Sequence, residues 1–156
     1  MKIRLLAAGT RLPGWVDAAC KEYLKRFGPD LRLELIEIPL AQRGARADAA
    51  RAVAREGERM LGAIRPADFV VALEVGGRAM STEQLARWLG ERMQGGRDLV
   101  LLIGGPEGLA PACRERADLA LSLSPLTLPH GLARVMVVEQ LYRAWSLTRG
   151  HPYHRA

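Results

Sequence analysis

Apolar residues fill positions 3–8 with little interruption (Ile3, Leu5, Leu6, Ala7, Ala8) and stop at Gly9, the pattern of a short buried strand. Trp15, Val16, Ala19, Tyr23, Leu24 and Phe27 then recur at helical spacing and line one face. Pro13 suits the start of that helix, and Gly28-Pro29 ends it. Residues 31–38 alternate apolar and charged side chains, as a half-exposed strand does. Residues 39–47 read as a polar loop, and Asp48 is placed to cap an alanine- and arginine-rich helix reaching about Ala63.

Residues 69–75 form an apolar strand broken only by Glu74 and followed by Gly76-Gly77. Ser81 and Gln84 make a capping-box pattern ahead of a helix whose apolar stripe is Leu85, Trp88, Leu89 and Met93. Residues 99–103 are uninterrupted and rich in branched side chains, which predicts a central strand buried on both faces. A glycine-rich turn, residues 104–108, leads to a short helix around Cys113 and a strand at residues 119–123. After residues 125–129 a last helix carries Leu132, Val135, Met136, Leu141, Tyr142 and Trp145 toward the core. Tyr142 and Trp145 serve equally as candidates for a subunit interface.

Strands alternating with helices predict an α/β fold: three layers, α/β/α, around a mostly parallel sheet. The 156 residues, 49% of them hydrophobic and 26% charged, suit one globular domain over residues 1–156. The opening residues resemble a leader only briefly. The apolar run at residues 5–8 is followed at once by Thr10-Arg11, and no run is long enough to span a membrane, so a cytoplasmic location is expected. Cys20 and Cys113 make neither a disulfide framework nor a metal site and read as buried thiols; no metal is expected.

The net charge is +6, which favours an RNA partner only weakly by itself. Its distribution says more. From Arg134 onward there are four arginines against one acid, Glu139, and His130, His151 and His154 all fall near this end.

Three loops follow the apolar strands of the second half: residues 73–77, 104–108 and 123–129. In an open parallel sheet, ligands gather where strand C-termini meet. Glycine there admits a ligand close to the backbone, and Leu73, Leu123, Leu126 and Leu128 offer an apolar wall for a base. The 104–108 turn lacks the lysine and hydroxyl of a phosphate loop and the order G-x-G-x-x-G. Taken alone, it reads equally as a tight strand–helix turn with no ligand.

Several separate motifs carry a resemblance. Residues 101–109 (LLIGGPEGL) and 123–130 (LSPLTLPH) are similar to the signature of SPOUT-type methyltransferases. Residues 34–39 (ELIEIP), 139–146 (EQLYRAWS) and 151–155 (HPYHR) narrow it, and the whole chain resembles the ribosomal RNA large subunit methyltransferase H family. The resemblance implies a C-terminal trefoil knot, which pattern reasoning alone would reject. It also implies S-adenosylmethionine as methyl donor, held by Leu73, Gly104, Gly105 and the run Leu123, Ser124, Pro125, Leu126, Thr127, Leu128. It further implies a homodimer whose active sites draw on both chains, methylating N3 of a pseudouridine in the 23S rRNA of assembled ribosomes.

An imide nitrogen must lose its proton to accept the methyl group, so a base or a stabilising cation is expected nearby. The catalytic candidates are His130, Arg143, Tyr153 and His154. Each has a plain structural reading too. His130 suits a helix N-terminus, Arg143 lies four residues from Glu139 as an ion-pair partner, and Tyr153 and His154 belong to a chain end. Arg43, Arg46 and Arg155 are candidates for rRNA phosphate, or ordinary solvated charges. Two rival readings remain: a non-catalytic ribosome- or RNA-binding module with this fold, and a knotted methyltransferase with another RNA target.

Overall fold

The computed structural model describes residues 1–42 and 46–154, the side chains of residues 46, 47 and 154 excepted. Five strands alternate with five helices: β1 (Lys2–Ala8), α1 (Gly14–Leu24), β2 (Arg32–Ile38), α2 (Arg46–Gly62), β3 (Phe69–Ala79), α3 (Thr82–Gly95), β4 (Leu99–Ile103), α4 (Pro111–Arg116), β5 (Leu119–Ser122) and α5 (His130–Thr148), then a 3-10 turn at Pro152–His154. The sheet order is β2-β1-β4-β3-β5, and each recorded pairing is parallel.

Burial explains this order. β4 is buried at all five positions and sits in the middle, as its unbroken apolar run requires. β2 alternates exposed and covered residues and takes an edge. One face of the sheet packs on α1, α3 and α5 through Val16, Leu89 and Leu141; the other packs on α2 and α4 through Met60 and Cys113. The three-layer α/β expectation holds. Ser81 Oγ accepts from the Gln84 amide at 3.1 Å while Gln84 Oε1 accepts from the Ser81 amide at 2.8 Å, so the capping box forms.

Three local readings need correction. α1 ends at Leu24, yet Phe27 beyond it still packs its ring 5.5 Å from Tyr142 and 5.7 Å from Trp145. α2 begins at Arg46, so Asp48 is a first-turn acid facing the helix dipole rather than the cap. β3 does not finish at Gly76-Gly77. Leu73 and Arg78 both stand opposite Leu121, so the strand bulges out over residues 74–77 and rejoins β5. Gly77 permits the return, because a Cβ there would lie 2.8 Å from the Ala120 carbonyl carbon.

Candidate active site

Because the strands are parallel, the ends of β3, β4 and β5 open together, and a cavity of about 540 Å³ lies there. This is within the ~300–1,000 Å³ usual for small-molecule sites. Leu73 and Glu74 enter from β3, Gly104 and Gly105 from the turn after β4, and Leu123, Leu126 and Leu128 from the loop after β5.

The turn after β4 folds on itself so closely that only glycine fits at its start. A Cβ on Gly104 would lie 2.4 Å from the Gly108 carbonyl carbon. The Gly108 amide donates to the Gly105 carbonyl at 3.0 Å, and Gly108 itself has φ +84°. In the loop after β5, Ser122 Oγ donates to the Ser124 carbonyl at 3.1 Å and the Leu126 amide donates to Ser124 Oγ at 2.9 Å. Those bonds fix the loop while Leu126 remains 73% exposed at the rim. Pro129 then occupies the N-cap position of α5, which starts at His130, without a capping side-chain bond.

The chemistry of the lining is selective. Leucine walls and exposed main chain suit a base and its edge, and among the described lining residues the ionisable side chains are Glu74 and His130. Lysine and arginine are missing from that set, and the nearby Arg114 is already paired with Glu74 Oε1 at 2.7 Å, so the lining offers a phosphorylated ligand no uncommitted cation. The donor set therefore fits a nucleoside, and S-adenosylmethionine is a nucleoside without phosphate.

Most of the sequence candidates meet here. Leu73, Gly104, Gly105, Leu123, Ser124, Leu126, Thr127, Leu128 and His130 all line the cavity; Pro125 lies in the same loop, exposed and off the lining. Arg143 and Tyr153 gather elsewhere. Thirteen residues separate His130 from Arg143 on α5, roughly 20 Å along a helix. Arg143 donates to Glu139 Oε1 through Nε at 3.0 Å, and its guanidinium lies 5.0 Å from the Tyr153 ring centroid. The Tyr153 hydroxyl donates to the same Glu139 oxygen at 3.1 Å, and its ring sits edge-on to Tyr142 at 4.6 Å. Burial, helped by hydrogen bonds with Tyr23 and Glu139, pushes the Tyr153 phenol far above its ordinary value. Arg43, Arg155 and the side chains of Arg46 and His154 lie outside the described residues.

Tyr142 and Trp145 are core residues, 5% and 8% exposed within one chain, and so do not supply an interface. Exposed apolar side chains stand instead at Trp15 on α1 and Leu132 on α5. Sequence reasoning missed the role of Glu74 as a lining residue, although its break in an apolar strand was the signal. It also missed Arg134, a buried cation one turn after His130.

The family described as "Predicted SPOUT methyltransferase" matches residues 1–154. The chain belongs to the SPOUT methyltransferases. A relative named "Ribosomal RNA large subunit methyltransferase H", from Thioalkalivibrio sulfidiphilus (strain HL-EbGR7), is 57% identical over 155 residues, covering 99% of each chain. Solved structures agree on the SPOUT fold at low identity. A probable methylase family protein from Haemophilus influenzae Rd KW20 superposes with TM-score 0.60 at 14% identity, over 99% of this chain and 70% of that one. A probable methyltransferase from Bordetella pertussis Tohama I gives TM-score 0.59 at 20% identity, over 91% and 95%. This SPOUT protein is accordingly a methyltransferase, and its glycine turn and leucine loop line the cavity.

Proposed function

We propose that this enzyme methylates N3 of a pseudouridine in the 23S rRNA of assembled ribosomes in the cytoplasm. It would use S-adenosylmethionine and act as a homodimer whose C-terminal part is threaded as a trefoil knot. The observation that carries the proposal is the phosphate-averse, leucine-walled cavity at the strand ends. The name of the 57% identical relative supports RNA of the large ribosomal subunit as the substrate.

When bound, S-adenosylmethionine supplies an already activated methyl group, which leaves the protein to align, dehydrate and manage one proton. Leu73, Leu123 and Leu128 would shield the nucleoside from water, and the 104–108 turn would offer it main-chain hydrogen-bonding groups. The accepting N3 loses its proton as it takes the methyl, and His130, which lines the cavity, is the group assigned to take that proton. Arg143 stands too far along α5 to join its own chain's cavity, and Tyr153, in the turn after α5, bonds Glu139 beside it, which is the reason for assigning them, with His154, to the site of a second copy. Trp15 and Leu132 mark the exposed apolar face through which the second copy would dock. Arg43, Arg46 and Arg155 are proposed to meet rRNA phosphate.

Two measurements test this together. Calorimetry should show S-adenosylmethionine binding, and mass spectrometry of 23S rRNA from a deletion strain should lack one methylpseudouridine that the purified enzyme restores on intact ribosomes. Binding without restoration would point to another RNA target; no binding would point to a non-catalytic module.

A further inference from the structure

Glu74 is the acidic side chain on the cavity lining, and nothing in the proposed methyl transfer uses it. It is the first residue of the bulge at 74–77, which carries it out of the sheet ladder at the mouth of the site. Its side chain is only 26% exposed, and Oε1 accepts from Arg114 Nε at 2.7 Å. Arg114 in turn lies against the glycine turn, since a Cβ on Gly108 would come 3.4 Å from its Nη2. One guanidinium thus bonds the first residue of the β3 bulge and lies beside the 104–108 turn.

We infer that Glu74 is a specificity-determining residue that binds the ribose diol of the adenosine ligand; this rests on the proposed reading of the cavity as the methyl donor's site. A carboxylate is a planar acceptor with two oxygens, and the ion pair described here uses Oε1. Vicinal ribose hydroxyls present two O–H donors at matching separation. Arg114 neutralises most of the local charge, so the paired carboxylate acts less as a counter-ion for an ammonium than as an oriented hydrogen-bond acceptor.

The test is calorimetry of the full-length protein with S-adenosylhomocysteine, 5′-methylthioadenosine and its 2′,3′-dideoxy analogue. Glu74→Ala should weaken the first two by the same factor, about tenfold or more as for a lost hydrogen bond to a charged group. The dideoxy analogue, which cannot make the bond, should lose nothing. Glu74→Gln keeps the shape and one acceptor oxygen, and should recover part of the affinity even where Glu74→Ala folds poorly. A loss confined to S-adenosylhomocysteine would place Glu74 at the amino-acid end and overturn the assignment, as would unchanged affinity for all three ligands. Failure of the parent protein to bind any of them would instead overturn the cofactor reading itself.

Discussion

Arg134 on α5 donates from Nη1 to Glu37 Oε2 at the end of β2 at 2.7 Å, and from Nη2 to the Gly9 carbonyl at 3.1 Å. The two ends differ in solvation: the Arg134 side chain is 3% exposed and that of Glu37 42%. Removing the carboxylate strands a buried cation, whereas removing the arginine leaves an acid that water can reach. Glu37→Ala should therefore cost about 3 kcal/mol of stability. Arg134→Met should cost less, about 1–2 kcal/mol, mainly for the unpaired Gly9 carbonyl. Urea denaturation of both variants checks the order; a costlier Arg134→Met would mean that packing, not the buried charge, dominates.

The glycine turn should respond unequally to added methyl groups. At Gly104 a Cβ meets backbone atoms of Gly108 and Leu109 within 2.7 Å, and backbone cannot step aside cheaply. At Gly105 its nearest neighbour is Leu40 Cδ2 at 3.0 Å, the end of a flexible side chain. Gly104→Ala should open the turn, abolish S-adenosylmethionine binding and lower the melting temperature, while Gly105→Ala keeps the fold and most of the affinity. Thermal melts and calorimetry on the pair decide it, and equal damage from both would show that the turn is not the strained element.

Docking of the chain end should weaken in alkali. Burial and its hydrogen bonds keep the Tyr153 phenol protonated well beyond the usual value of 10.0. Below that value both the docked and the free tail carry the proton, so docking keeps its full stability. As pH rises above it, the free tail ionises first, and docking is lost progressively until the folded-state value is passed. Protection of the His151 and Tyr153 amides, taken as exchange relative to the intrinsic base-catalysed rate, should fall above pH ~10 in the parent. Tyr153→Phe should remove that dependence; the same alkaline response in both would assign it to another group.

How much of this was legible depended on how far apart the interacting residues lie. β4 needed only its own five apolar residues, and the α3 cap only Ser81 and Gln84, three positions apart. The return of β3 depends on Gly77 lying against the backbone of Ala120, a contact no single strand pattern encodes. Glu74 was visible as an interruption, but its partner Arg114 stands forty residues on. Tyr142 and Trp145 were ambiguous because α5 is apolar on several faces. Packing against α1, α3 and the sheet uses those faces within one chain.

The separation along α5 of His130 from Arg143, against which the Tyr153 ring packs, leads to a complementation experiment. Deleting residues 151–156 removes the tail and leaves the cavity lining untouched, so methyl transfer should be lost with S-adenosylmethionine binding preserved. Thr127 lines the cavity from an exposed loop, so Thr127→Trp should fill the site without disturbing the core and lose binding with the tail intact. Neither variant should be active alone. In a mixed dimer, the deleted chain offers an open cavity and the Thr127→Trp chain offers the tail, which assembles one working site. Random exchange of equal amounts makes half the dimers mixed, and activity should return to about a quarter of the parent's. If the tail serves its own chain's cavity, the mixed dimer holds no complete site. Silence from mixed dimers shown to form by native mass spectrometry would then place the tail and the cavity in the same chain's site and overturn the shared-site reading.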